Sequence, residues 1–431
     1  MNRAWRVIGR VLPREYRVAA RGFTSNARNY LGAAALQSAG YGVIGTAFAI
    51  YLKDRGFSEA VVGDVEGTLA LSAAVVCLAL PPFVSVFGYR RLMVASALAL
   101  AVARLGQAYA SAAVGVVSLG LVFGLGDGAM QLLSPAFLSE NATAGKRTHL
   151  FSVDFIVRVA AMFVGSLAGG LVPVVLRPLV GEAEAFRLTI VFAAALMASS
   201  AVFAGRIRDV VAERAPHPVR TWLRTLRGFS SWGRVGRLLV PEMLVSLGAG
   251  LIIPFVALFL RERLGATVTE VGVIQAVSSV LMAVAELSTP RLARRFGLAG
   301  TVVLTQLASL PFLVAIPLTT SLPIAAAMFW LRGMFMNMSW PVYNQLSMEG
   351  LPAADKPLVA GWVRFGWSIA WLGGSAVGGR IMASSYTFPY FLTAALYGAG
   401  AIAAYLLLRG VRTEDEAHAD AESGSARGVL E

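Results

Sequence analysis

The chain has 431 residues, 57% of them hydrophobic and only 14% charged, where soluble domains average about 45–50% apolar and about 25% charged. That balance excludes an ordinary water-soluble enzyme and predicts an all-α polytopic membrane protein. The formal charge of +13, from 37 Lys and Arg against 24 Asp and Glu, raises nucleic-acid binding, but in so apolar a chain the placement of the cations decides its meaning.

Residues 1–28 form a basic N-terminal arm with Arg3, Arg6, Arg10, Arg14, Arg17, Arg21 and Arg28. It lacks the apolar core of a cleavable signal peptide. Two arrangements suit it, a short interfacial helix through Trp5, Ile8 and Leu12 or a disordered arm. Each bilayer crossing takes roughly 20 apolar residues, and hydropathy places spans near 30–52, 60–82, 91–110, 113–138, 150–175 and 186–205. A second set follows near 237–260, 270–289, 299–318, 322–346, 358–381 and 388–408. The expected organisation is a six-helix bundle over 29–205, a central loop over 206–236, a second six-helix bundle over 237–410, and a tail over 411–431. The loop carries Arg206, Arg208, Arg214, Arg220, Arg224, Arg227 and Arg234, with Trp222 and Trp232 placed to rest on lipid headgroups. The tail is acidic, small and polar, and reads as disordered. Cys77, the single cysteine, lies in an apolar stretch, so neither a disulfide nor a thiolate metal site forms within the chain. No cofactor and no metal are expected.

Lys and Arg favour the cytoplasmic side of a membrane. The N-terminal arm, Arg90 and Arg91, Lys146 and Arg147, the central loop, Arg291, Arg294 and Arg295, Lys356 and the tail all fall on one side. The opposite side has Lys53, Arg55, Arg177, Arg187, Arg261, Arg263 and Arg380, most of them beside acids. Both termini are therefore expected in the cytoplasm, in an inner or plasma membrane. Topology then accounts for the positive charge without nucleic acid.

A shift of about 208 residues aligns the two sets of spans. Ser38, Gly40, Gly42, Ile44, Ala49, Leu52 and Arg55 meet Ser246, Gly248, Gly250, Ile252, Ala257, Leu260 and Arg263. After one inserted residue, Gly63 meets Gly272, Phe87 and Gly88 meet Phe296 and Gly297, and GSLAGG (165–170) meets GSAVGG (374–379). Two repeats with even numbers of spans share an orientation, with a cavity expected between them.

This organisation resembles the major facilitator superfamily of secondary transporters, in its prokaryotic form with no subfamily assigned, over about residues 29 to 410. The resemblance implies twelve transmembrane helices in two rocking bundles. It also implies a small-molecule substrate, a proton or other coupling ion, a monomer in the bilayer and no enzymatic activity. The family's gate loop after span 2 reads G-x-x-x-D-R-x-G-R-K, its Asp locking against span 11. Here PFVSVFGYRR keeps Gly88, Arg90 and Arg91, but Ser85 stands at the Asp position. Arg364, at the start of span 11, is the lock's would-be partner. The antiporter motif of span 5 is also incomplete, with Ser166 at its proline position.

Ionisable groups within a bilayer cost about 2.5–3.5 kcal/mol or more, so they normally face a cavity or a partner. The deepest are Asp127 in span 4 and Arg332 in span 10. Asp127, then Glu66 in span 2, are the candidate proton carriers, because the three histidines lie in loops or at span ends. The competing reading gives Asp127 an arginine partner and a purely structural role. Arg332 is placed to meet a polar or anionic substrate group or to neutralise Asp127. Gln37, Tyr41, Gln131, Asn337, Trp340 and Gln275 are uncharged cavity candidates, suited to a partly apolar organic ligand. Asp154 and Arg158, at i,i+4 spacing, are expected to form a structural ion pair. Arg104 is expected to snorkel from the outer end of span 3. Two other functions remain open. One is a non-transporting sensor or scaffold on this fold. The other is an intramembrane aspartyl protease, from Gly124-Leu125-Gly126-Asp127, although the second deep aspartate comes after rather than before it.

Overall fold

The computed structural model describes residues 23–142, 147–209, 227–349, 351–352 and 355–409, together with positions 220, 222 and 224. The basic arm up to residue 22, the central loop at 210–219 and the acidic tail from 410 lie outside the described residues. The described chain is helical, with no strand among the described residues. The first six helices are α1 (Ser25–Asp54), α2 (Glu59–Ala79), α3 (Pro81–Tyr109), α4 (Ala113–Asn141), α5 (Arg147–Val180) and α6 (Glu182–Ala204). The next, α7, is Trp232–Ile252 with an irregular continuation to Arg263. Val268–Ala315 is broken at Gly297 into α8 before the break and α9 after it. Then come α10 (Leu322–Met348), α11 (Lys356–Met382) and α12 (Phe388–Leu408). The fold is therefore all-α and polytopic, with the expected twelve crossings. Among the described residues nine helices are long and apolar enough to cross a membrane, the pair α8 and α9 counting as one. The two helices outside that set, α10 and α11, carry Arg332, Asn337 and Asn344, and Arg364 and Arg380.

Helix ends follow local chemistry. The Thr24 side chain accepts the Ala27 N–H at 3.1 Å, an N-cap that starts α1 at Ser25, inside the expected arm and ahead of the hydropathy boundary. The continuous span expected over 237–260 is instead interrupted. At Pro254 α7 becomes a 3-10 turn (Ile253–Phe255), a short α segment (Val256–Leu258) and a π turn (Phe259–Arg263). Proline lacks an N–H and its ring crowds the preceding turn. Thr46 holds the equivalent place in the first repeat, and α1 runs through it unbroken.

Two compact units share the described residues. The first contains those up to residue 57, 75–219 and 267–279; the second contains 58–74, 220–266 and those from 280 onward. Within the first, α1 packs on α5 and α6, and α3 on α4 and α6. Within the second, α7 packs on α11 and α12. The pairings of α1 and of α7 match under the sequence repeat, and glycines make them possible. A methyl group on Gly165 would overlap the Ala39 carbonyl of α1, and one on Gly374 would overlap the Leu247 carbonyl of α7. The first part of α8 lies against α5 in the first unit, where a methyl on Gly272 would come 2.7 Å from the Ser166 carbonyl. The first part of α2 lies against α11 in the second unit, where a methyl on Gly379 would come 2.5 Å from the Glu59 carbonyl.

Trp222 and Trp232 rest on protein. Trp222 packs on a buried cluster that includes Phe229, Leu238, Val302 and Leu346. The ring of Trp232 lies 4.9 Å from Phe229 and 5.2 Å from Trp362.

Pro81–Tyr109 is itself broken at Gly88, and this gate segment is held by an acid from elsewhere in the chain. Gly88 has φ 75° and ψ 163°, a region open in practice only to glycine. Asp209, just beyond α6, accepts the Arg90 N–H at 2.9 Å, and its carboxylate is so close that a methyl on Gly88 would lie 2.7 Å from Oδ2. Beside it, Asn26 donates to the Arg208 carbonyl at 2.8 Å and accepts the Arg208 N–H at 2.9 Å. The exit of α6 is thus tied to the starts of α1 and α3.

Gly165→Ala and Gly374→Ala are each expected to destabilise the protein by about 1–3 kcal/mol through overpacking, read as lower thermal unfolding temperatures in detergent. Gly236→Ala, where a methyl meets nothing, is the neutral control. Gly88→Ala is expected to cost about 1–3 kcal/mol of strain and to increase proteolytic cleavage near residue 88; unaltered cleavage and stability would show that the loop does not need this conformation.

Candidate transport site

In the first unit the site centres on Asp127, half-buried on α4. The Tyr41 hydroxyl of α1 donates to its Oδ1 at 2.5 Å, and Gln131 Nε2, one turn along α4, donates to its Oδ2 at 2.6 Å. Glycines flank Asp127 on both sides, and a methyl on Gly126 would lie 2.7 Å from the Ser96 carbonyl, so α4 runs closely against α3 here. Both carboxylate oxygens are engaged by neutral donors. Tyr41 is steered by Phe123, whose ring meets it edge-on at 5.9 Å.

Arg104 does not snorkel. It is only 2% exposed, with its guanidinium 3.9 Å from the Phe123 ring centre and 4.2 Å from that of Phe48. It donates to Gln107 Oε1 at 2.8 Å, and Gln107 in turn donates to the Val116 carbonyl at 2.9 Å. Two ring faces and an amide stand in for the headgroup water that hydropathy reasoning assigned to it.

The other candidates in this unit lie between helices. Gln37 is buried, donating to the Ser200 hydroxyl of α6 at 3.3 Å. Gln275 on α8 donates to the Gly45 carbonyl of α1 at 2.9 Å. Asp154 and Arg158 pair at 2.9 Å, and Arg158 also donates to the Tyr30 hydroxyl at 2.6 Å. Asp127 and Asp154 are thus each engaged with their own donors, an arrangement unlike two aspartates sharing one proton.

In the second unit Arg332 is 5% exposed and donates to the Tyr397 hydroxyl of α12 at 2.6 Å. Asn337 donates to the Gly333 carbonyl at 2.8 Å and lies 2.9 Å from the Met282 sulfur of α8. One turn on, Trp340 meets Trp367 of α11 at 5.1 Å, and Trp367 stacks with Trp371 at 6.3 Å. Glu66 is half-buried on α2. On the same helix Asp64 pairs with Arg380 of α11 at 2.9 Å. The Tyr386 hydroxyl donates to Glu59 at 2.5 Å; burial first, then the Glu59 carboxylate, pushes the Tyr386 phenol up from its ordinary range. Arg90 and Arg91 are exposed, whereas Arg364 is half-buried and acts on Glu242 of α7. Glu242, Trp367 and Trp371 escaped sequence reasoning. The glutamate sits near a span end in a stretch rich in arginine, and the tryptophans resemble ordinary anchors.

Among the described residues no group of three or more His, Cys, Asp and Glu is placed to hold a metal ion. Residues 238–429 match the sequence model of the Major Facilitator Superfamily. No curated protein matches the chain. Among solved structures, a bacterial homologue of the human lysosomal transporter Spinster shares 14% identity, with a TM-score of 0.72 over 93% of this chain and 98% of its own. The nucleoside transporter NupG gives 14% identity and 0.70 over 90% and 99%. A D-xylose-proton symporter gives 15% identity and 0.68 over 90% and 99%. The second repeat thus matches the sequence model of the Major Facilitator Superfamily, and the described residues share the fold of these solved multi-pass transporters.

Proposed function

We propose that the chain is a secondary active carrier that moves a small organic molecule by alternating access and draws on a proton gradient, with export of amphipathic compounds favoured over uptake. The observation that carries this reading is Asp127, a carboxylate within a membrane helix satisfied by Tyr41 and Gln131 rather than by a cation. Neutral donors can be exchanged for water or for substrate groups as the surroundings change, whereas a buried arginine would hold the charge in place. A proton on Asp127 would turn one of its oxygens from acceptor to donor and release one of its partners. Asn337, Trp340 and the stacked Trp367 and Trp371 supply an aromatic wall with an amide, chemistry that suits a partly apolar ligand. In the first unit, Tyr41 and Gln131 supply polar groups of their own. Glu66 is the second candidate for the coupling proton. That one similar structure is of a D-xylose-proton symporter accords with proton coupling on this fold.

The basic loops support cytoplasmic termini in a cell membrane. The glycine contacts of α5 with α8 and of α11 with α2 are the surfaces that would slide as the repeats rock. Arg332, directed at Tyr397, is assigned to fastening α10 on α12 rather than to substrate.

In proteoliposomes with a candidate substrate, Asp127→Asn is expected to reduce gradient-driven flux at least about tenfold, while passive exchange stays within about twofold. Unchanged driven flux would remove Asp127 from coupling. Arg332→Gln is expected to lower stability by about 1.5–3 kcal/mol, the worth of a hydrogen bond to a charged group, with substrate affinity preserved. Weakened binding at full stability would return Arg332 to the substrate site.

A further inference from the structure

Glu242 is a buried acid that the mechanism above leaves unused. It stands on α7, 6% exposed, and its Oε2 has no hydrogen-bond partner. Its counterpart in the first repeat is Ala34, fully buried at the equivalent place on α1. The shared architecture therefore has no need of a carboxyl here. Titratable groups stand on three neighbouring helices of the second unit. From α11 comes Arg364, two residues before Gly366, where a methyl would overlap Leu239 and lie 3.6 Å from Met243, on either side of Glu242; its positive charge acts on the carboxyl. From α10 comes Tyr343, close enough to feel the glutamate's charge, but its hydroxyl donates to the Leu238 carbonyl at 2.5 Å. From α12 comes Tyr397, which lies against Gly248 and accepts from Arg332. The Tyr343 proton is spent on a carbonyl, and Arg364 is the cation whose charge acts on the glutamate.

A buried carboxylate with an unpaired oxygen is poorly accommodated, and a bound proton removes its charge. A guanidinium drawing near favours the opposite state. We infer that Glu242 is a proton-binding site of the second repeat controlled by Arg364. It holds a proton while the guanidinium stands off. When α11 brings Arg364 closer, the O–H bond breaks, the proton passes to water on the half-exposed side of Arg364, and the carboxylate is left paired. The consequence for transport rests on the proton-coupled reading given above: Glu242 would supply a second protonation step, in the repeat that lacks Asp127.

The test is infrared difference spectroscopy of the full chain in lipid membranes, following the carbonyl stretch of protonated carboxylic acid from acid to alkaline pH. A titrating band is expected that is lost in Glu242→Gln and kept in Asp127→Asn. Arg364→Gln should carry the loss of that band to higher pH by about one unit or more. A band indifferent to Glu242→Gln, or a titration that Arg364→Gln leaves in place, overturns the inference. Should Glu242→Gln fail to fold, Glu242→Asp must displace the band and Arg364→Gln must move its titration; if neither does, the site is refuted. Proton movement on adding substrate to the same vesicles separates the two readings. A chain that moves no protons yet shows the Glu242 band keeps this site and loses the coupling role. One that moves protons without such a band keeps the carrier and loses the site.

Discussion

Backbone-to-backbone contact between pairs of helices is the constraint on which the rest of the molecule depends. Lipid tails are as apolar as leucine, so helices in a bilayer gain little by hiding from them and associate by close packing. Here α1 meets α5 across Gly42 and Gly165, and α7 meets α11 across Gly250 and Gly374. Any side chain at Gly165 or Gly374 would overlap a carbonyl of the partner helix. The same α1 carries Tyr41 to Asp127 of α4, and the same α7 carries Glu242.

Within that frame each buried charge is satisfied differently, and the differences assign the work. Arg104 is held between two rings, Arg332 by a phenol, and Arg158 by an aspartate and a phenol. Each of these arrangements holds a cation still. Asp127 has neutral donors and Glu242 an orphaned oxygen, arrangements that a proton can alter at little structural expense. The proposed proton coupling would use this division between stationary cations and adjustable acids.

The loss of the family's gate aspartate is accompanied by a different contact. Ser85 cannot supply the charge, and Asp209 brings a carboxylate to the same loop from beyond α6, capping the Arg90 N–H. Arg364, the lock's expected partner, bears on Glu242 of α7 through its positive charge. The gate segment is thus steadied within its own unit.

The all-α membrane fold, its helix count and the small set of ionisable groups within it were legible from the order of residues, whereas the start of α3 at Pro81 rather than near 91 and the break in α7 at Pro254 were not. The bilayer demands long apolar runs, and a duplicated chain repeats its glycines and charges in register. Asp127 stood out for the same reason, because a carboxylate amid apolar and glycine residues is conspicuous. Partnership was not legible. That Tyr41 rather than an arginine meets Asp127, that Arg104 lies under Phe48 and Phe123, that Asp209 reaches Gly88, and that Glu242 is buried on α7 all depend on residues far apart in the chain. Side chains meet according to helix rotation and crossing, which many small packing contacts determine jointly, whereas insertion into a membrane is decided segment by segment.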